Sequence, residues 1–329
     1  MQRVRAIDPA RYPRGERADI TVPLYEDALG HPVVLPFVLI HGAKPGPVVG
    51  VSAAVHGDEL NGIRIIHELA ARLDPKSMRG SVLCAPVVNV PAFLAGQRRF
   101  TDGNDLNHSF PGKKGGRPAE QYAAAFVKTF LPPCDIVVDI HTASQGRVNS
   151  YYVRADLLDS GVREIAMLMN ADIVLHVRGG DGTLRNAARI HRTPSITVEA
   201  GNPLAFQGKM VNRGADGVLN LLRHMRIIDG QIHVPQPPVI CSSSQWLRTE
   251  SGGILDLKVD LTERIERNAV VAISRDPFGH ERSTYRAPHA GIVIGMARNP
   301  VAVPGTRYCH LGRIGEPKAT TRTTGVADP

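Results

Sequence analysis

The sequence predicts an α/β domain built on a largely parallel sheet, followed by a small all-β domain, and three observations lead there. Up to about residue 235, glycines and prolines separate short β-branched runs from longer segments of helical spacing, the alternation expected when crossover helices join the strands of one sheet. A proline-rich stretch, HVPQPP at 233–238, then breaks the pattern. From Ile240 to about Ile314, short β runs are separated by turn signals at Ser251-Gly252-Gly253, Pro277-Phe278-Gly279 and Ala290-Gly291, with little helical periodicity.

The elements follow in order. A β hairpin region is placed at about 18–40. Val48–Val55 is a continuous apolar run and reads as a buried strand. Leu60–Leu73 carries Leu60, Ile63, Ile66 and Leu69 at helical spacing, with Ile65 and Ala70 beside them, so the unit is strand, tight loop, helix. Ser81–Val88 is the next strand. Ala119–Leu131 is a helix opened just after Pro118 and closed by Pro132-Pro133, and Asp135–Ile140 is a third buried strand. Gly161–Met169 reads as a helix, Ser195–Val198 as a short strand running into Glu199, and Val218–Met225 as an amphipathic helix that closes the domain. The boundaries are therefore 1–232 for the first domain, 233–239 for a linker and 240–314 for the β domain. Residues 315–329 form a tail too poor in apolar residues to pack. The 329 residues suit two domains at roughly 150 residues each.

Composition removes several functions. The longest apolar stretch, near Val33–Ile40, is interrupted by Pro36 and falls far short of the roughly 20 residues needed to cross a bilayer. The N-terminus is basic but lacks an apolar signal core, which predicts a cytoplasmic protein. Cys84, Cys134, Cys241 and Cys309 lie far apart with no C-x-x-C pair, so reduced thiols are expected rather than disulfides or a thiolate zinc site. Lysine and arginine outnumber acids 39 to 31, but the basic residues are interspersed and aromatics are only 5%, which argues against nucleic acid and leaves a small anionic substrate. G-x-S-x-G and G-x-x-x-x-G-K-[ST] are both missing, so the usual signals of a serine hydrolase and a P-loop NTPase are not there.

Three strand ends carry chemistry. In a parallel sheet the ligand crevice lies beyond the carboxyl ends of the strands. His56 and Glu59, in VHGDELNG after the first strand, would sit there on the turn into a helix, close enough for imidazole and carboxylate to meet one ion. On its own, H-x-x-E reads equally as a capping turn. His141 follows the strand Ile136–Ile140 and alone could be a packed core histidine. Together His56, Glu59 and His141 make a His2Glu set, which leaves a catalytic zinc one open position for water. Asp139 either orients a ligand or caps a buried group. Glu199, at the end of the third strand, is the candidate to take a proton from water and return it to a leaving amine.

Between the first two ligand segments, the stretch from Asn89 to Gly112 is rich in polar groups. A guanidinium there can polarise a carbonyl, and Asn107 and His108 can hold a substrate carboxylate or amide. Arg99 reads as a solvated loop residue. Gly179-Gly180-Asp181-Gly182 is either a turn or an anion cradle.

With HGDE at 56–59, RRFTDGNDLNHSFPG at 98–112, DIHT at 139–142 and TVEAG at 197–201, the chain resembles the succinylglutamate desuccinylase/aspartoacylase family of zinc-carboxypeptidase-like hydrolases. The resemblance covers about residues 40 to 230, and the β-rich end resembles that family's C-terminal domain. It implies an α/β/α sandwich with a mixed, largely parallel sheet, and one zinc ion per chain held by His56, Glu59 and His141. It also implies Glu199 as general base, Arg98 as the carbonyl-polarising arginine, and Asn107 and Arg185 as substrate contacts. The family's usual Asp-Leu-Asn-Arg is here Asp105-Leu106-Asn107-His108, which replaces a permanent, bidentate cation with a pH-dependent one.

The resulting expectation is a zinc-dependent deacylase acting on a small N-acyl amino acid or related acylated amine, able to form a homo-oligomer. One alternative is a zinc carboxypeptidase acting on small peptides. The other is a non-catalytic binding module, prompted by the lipoyl-like run from Gly252 to Gly295. That run has no lysine at a hairpin tip and is read as structural or access-controlling.

Overall fold

The computed structural model describes residues 6–318 apart from Gln145 and Asp181, so most of the proposed tail, 319–329, lies outside the described residues. The chain begins with an antiparallel hairpin, β1 (Glu16–Glu26) and β2 (Pro32–His41), and continues into β3 (Lys44–Ala53), α1 (Asn61–Arg72), β4 (Arg79–Ala85) and the short α2 (Val90–Leu94). Next come α3 (Pro118–Phe130), β5 (Ile136–His141), β6 (Arg147–Asn149), β7 (Tyr151–Ala155), α4 (Ser160–Met167) and β8 (Ile173–His176). Then follow α5 (Leu184–Ile190), β9 (Ser195–Ala200) and α6 (Gly208–His224). α6 begins ten residues before the expected Val218 because Val211, Gly214 and Ala215 extend its buried face.

These strands form one mixed sheet in the order β1-β2-β4-β3-β5-β9-β7-β8. β4, β3, β5 and β9 are mutually parallel, whereas β7 runs antiparallel to β9. The strands alternate between two cores because successive side chains point to opposite faces. Val138 and Ile140 of β5 pack with α1, α4 and α6, while Val137 packs with α3 and α5. Gly62 permits the close approach of α1: a Cβ there would lie 2.7 Å from the Cβ of Ala53.

Residues 231–238 carry no helix or strand. Beyond them the regular structure of the described residues is all β: β10 (Val239–Arg248), β11 (Gly253–Leu257), β12 (Arg264–Ile265), β13 (Val270–Arg275), β14 (Glu281–Arg286), β15 (Gly291–Ala297), β16 (Val301–Ala302) and β17 (Arg307–Ile314). Only β14-β13-β11-β16 form a separate sheet. β10 instead adds in parallel to β8, and β17, β15 and β12 continue the main sheet, with β6 pairing to β15. The edge that β8 would otherwise leave open is thereby covered. A third core, including Leu247, Val271, Val293, Tyr308 and Leu311, fills the space between this extension and the small sheet.

All four cysteines are buried free thiols, and burial pushes Cys84 up to about 12. Among the described residues no helix is long and apolar enough to cross a membrane.

Candidate metal and active site

The site begins where β3 ends. The expected strand to Val55 stops at Ala53, because Ala54 turns into the left-handed region at φ 52°. Asn89 fixes the turn: its backbone N–H donates to the Ala54 carbonyl at 2.9 Å and its side chain donates to the Val55 carbonyl at 3.1 Å. Gly57 sits against the backbone of Ala92 and Phe93, where no side chain fits. Asn61, wholly buried at the start of α1, donates to the Ala200 carbonyl at 2.8 Å and accepts from the Gln207 N–H at 2.8 Å. One side chain thus locks the first motif to the loop after Glu199. β5 and β9 place His141 directly opposite Glu199 in register.

His56, Glu59 and His141 come together with one potential ligand atom each, all within 4.8 Å of one another, and all three are buried. His56 Nδ1 lies 2.7 Å from Glu59 Oε1, His141 Nδ1 lies 2.9 Å from Glu59 Oε2, and the two Nδ1 atoms are 3.3 Å apart. The other nitrogens are also held by carboxylates. His56 Nε2 is 3.0 Å from Asp105 Oδ1, and His141 Nε2 is 2.8 Å from Asp139 Oδ2. Asp139 is fixed in turn by the Ser52 hydroxyl at 2.7 Å.

The charge pattern suits either protonated imidazoles or a cation. Burial works to lower the pKa of His141, but Asp139 and Glu59 outweigh it and hold the pKa well above the ordinary value. For His56, burial and Arg98 oppose the charged form, and Glu59 and Asp105 overcome them. Burial would raise Glu59, yet the two imidazoles hold it far below the usual carboxylate range. Three carboxylates around two imidazoles are balanced either by extra protons on the rings or by a divalent ion facing the two Nδ1 lone pairs, so the group can hold a metal.

The three ligand candidates, Glu199 and Arg98 all line one cavity. Arg98 donates to Glu59 Oε1 at 3.2 Å, to the Ser144 hydroxyl at 2.6 Å and to Asp105 Oδ2 at 2.8 Å. Arg99 is exposed and donates to the Gly103 carbonyl, away from the cavity. Glu199 accepts from Asn149 at 3.2 Å and pairs with Arg154 Nε at 3.2 Å. Asn107 and His108 also line the cavity, and the side-chain Oδ1 of Asn107 accepts from the Leu184 N–H at 3.0 Å, tying this loop to the start of α5. Arg185 is 8% exposed and forms part of the cavity wall; burial and the nearby Arg154 lower it to about 10.

Sequence reasoning missed several groups. Asp105 stood inside the quoted motif, and its pairing with His56 and Arg98 could have been asked of any acid beside those residues. Tyr152 and Arg154 stand beside Glu199 because β7 runs antiparallel to β9, with Tyr152 opposite Glu199 in register, and Asn149 reaches Glu199 from the end of β6. The alternation Tyr152/Arg154 was the available signal. Trp246, on β10, enters the cavity from the C-terminal region, and nothing local announced it.

Residues 45–225 match the succinylglutamate desuccinylase/aspartoacylase catalytic domain. The chain is 26% identical over 285 residues to the N-alpha-acetyl-L-2,4-diaminobutyric acid deacetylase of Halomonas elongata, covering 82% of this chain and 83% of that one. Its fold is similar to that of the product-bound ectoine utilization protein of Ruegeria pomeroyi, with a TM-score of 0.82, 23% identity and coverage of 92% and 96%. It is also similar to that of a succinylglutamate desuccinylase/aspartoacylase from Rhodobacter sphaeroides, with a TM-score of 0.82, 23% identity and coverage of 94% and 98%.

Proposed function

The chain belongs to the succinylglutamate desuccinylase/aspartoacylase family, and on that premise we propose that it is a zinc-dependent amidohydrolase that deacylates a small N-acyl amino acid or related acylated amine. The observation that carries this reading is the donor set. Two imidazoles present their Nδ1 atoms 3.3 Å apart beside one carboxylate, and each Nε2 faces a further carboxylate. Ligands at about 2.0–2.1 Å around a tetrahedral zinc would themselves stand about 3.3 Å apart.

His56, Glu59 and His141 would hold the ion, with Asp105 and Asp139 fixing the orientation of the rings. Zinc in such a site supplies Lewis acidity, polarising an amide carbonyl and lowering the pKa of water. Glu199, one strand from His141, takes the proton of the attacking water and delivers it to the departing nitrogen. Asn149 and Arg154 hold its two oxygens in place, and a carboxylate with about four acceptor sites keeps capacity for that proton. Arg98, beside Glu59, donates to the oxygen on which negative charge develops.

The test pairs metal analysis with turnover of N-acetyl and N-succinyl amino acids, with dipeptides alongside. About one zinc per chain and chelator-sensitive release of free amine are expected. Glu199→Gln should keep the zinc and lose a factor of about 10²–10⁴ in kcat. A variant with wild-type turnover would remove Glu199 as the base. Protein that binds no zinc, and stays inactive after zinc is added, would remove the hydrolase reading. Faster cleavage of dipeptides would move the reading to a carboxypeptidase.

A further inference from the structure

We propose that Arg147, braced on the indole of Trp246, receives a carboxylate on the amine half of the substrate. This rests on the amidohydrolase reading and narrows the substrate class to an N-acyl amino acid rather than a neutral acylated amine.

The first support is the cavity's charge. Among its described lining residues, four arginines (Arg98, Arg147, Arg154, Arg185) face two glutamates, Glu59 and Glu199, so an anion is favoured within it. His108, which also lines the cavity, is a residue type charged only when protonated, whereas arginine stays charged at every working pH.

The second support is position. Arg147 and Asn149 stand two residues apart on β6, so their side chains share a face, about 6.6 Å apart along the strand. Both line the cavity, and Asn149 holds Glu199, which marks where the scissile amide must lie. In an N-acyl amino acid the carboxylate follows the scissile carbonyl by one residue's length, about 3.8 Å, so a group that receives it must line the same cavity as Glu199, as Arg147 does.

The third support is the brace. The guanidinium carbon of Arg147 lies 5.3 Å from the centre of the Trp246 ring, within cation–π range. Trp246 is itself stacked on His310, its cross-strand partner on β17, at 4.8 Å and 11°. The ring is thus held by the C-terminal extension of the sheet, and β15 of the same extension holds β6. A guanidinium laid on an aromatic face keeps its N–H groups in one plane, the arrangement that matches a carboxylate. Arg147 is the contact residue here and Trp246 a positioning residue.

Three amides separate the possibilities: an N-acetyl amino acid, its neutral carboxamide, and an N-succinyl alkylamine whose carboxylate lies on the acyl half. The wild type should prefer the acid over the carboxamide by about 10–100-fold in kcat/KM, the worth of a hydrogen bond to a charged group. Arg147→Gln should collapse that ratio to within about threefold, mainly through KM. Arg147→Lys should restore part of it. Trp246→Ala should reduce the ratio and Trp246→Phe should largely keep it. An unchanged ratio in Arg147→Gln overturns the proposal, as does a wild-type preference for the succinyl alkylamine. Trp246 is the only tryptophan of the chain, so its emission also reports binding without turnover. In a Glu199→Gln background, titration with the N-acetyl amino acid should quench it saturably, with Kd raised about tenfold or more by Arg147→Gln. If the wild type cleaves none of the amides but this binding difference persists, the hydrolase reading fails and the carboxylate receptor stands. Equal Kd values with and without Arg147 would remove the receptor whatever the turnover.

Discussion

Replacing Asp139 tests whether the buried carboxylates behind the two imidazoles serve the metal or only the fold. Asp139 is 1% exposed; one oxygen accepts from Ser52 at 2.7 Å and the other lies 2.8 Å from His141 Nε2. In Asp139→Asn the shape is kept. The amide can turn its oxygen to the imidazole, and the Ser52 hydroxyl can rotate to accept from the amide NH₂. What is lost is the negative charge that makes His141 a stronger donor to a cation, so zinc affinity should fall about 10–100-fold, or about 1.4–2.7 kcal/mol. Asp139→Ala removes the partner altogether. It leaves the Ser52 hydroxyl and the ring N–H buried without acceptors, adding a further penalty of about 1–3 kcal/mol per group to folding. The assay is competition for zinc against a chelator of known affinity, run beside denaturant unfolding of metal-free protein. The Asn variant should lose metal affinity with little loss of apo-protein stability, and the Ala variant should lose both. Zinc affinity in Asp139→Asn within twofold of wild type would refute the argument.

Two further outcomes follow from the same framework. A Cβ at Gly57 would collide with the backbone of Ala92 and Phe93, which cannot give as a side chain could, so Gly57→Ala should cost about 1–3 kcal/mol in denaturant unfolding and weaken zinc binding through the neighbouring His56; unchanged stability would show that α2 yields. Asp102 caps α3 from a distant loop, accepting from the Ala119 N–H at 3.1 Å and the Asn104 N–H at 3.0 Å, and although burial raises its pKa these bonds hold it below the ordinary 3.8. A carboxylate whose folded pKa is depressed contributes at neutral pH and loses that contribution as pH falls through the depressed value. Asp102→Ala should therefore cost about 0.5–2 kcal/mol at pH 7, with the gap to wild type closing below pH 4, and a pH-independent gap would contradict the cap.

That His56, Glu59, His141 and Glu199 line one cavity was legible because each is tied to a local pattern. Each follows an apolar run that becomes β3, β5 or β9, and parallel strands deliver their carboxyl ends to one edge of a sheet. Nothing comparable distinguishes Arg98 from Arg99. They sit in a loop without periodicity, and only the fold turns Arg98 towards Glu59 and Asp105 and leaves Arg99 outside. The same holds for the partners of Glu199, since Arg154 reaches it only because β7 lies antiparallel beside β9, and Asn149 comes from β6, a strand that pairs with β15.

The C-terminal region shows the division most clearly. Its turn signals and short β runs determined that it is all β, and a separate four-stranded sheet is indeed present. That β10 joins the main sheet beside β8, carrying Trp246 to a cavity whose other walls lie up to 190 positions earlier in the chain, was decided by tertiary structure alone. Side-chain periodicity reports which face of its own element a residue occupies. Which strands become neighbours depends on hydrogen-bonding edges and apolar faces that exist only once the whole sheet has assembled.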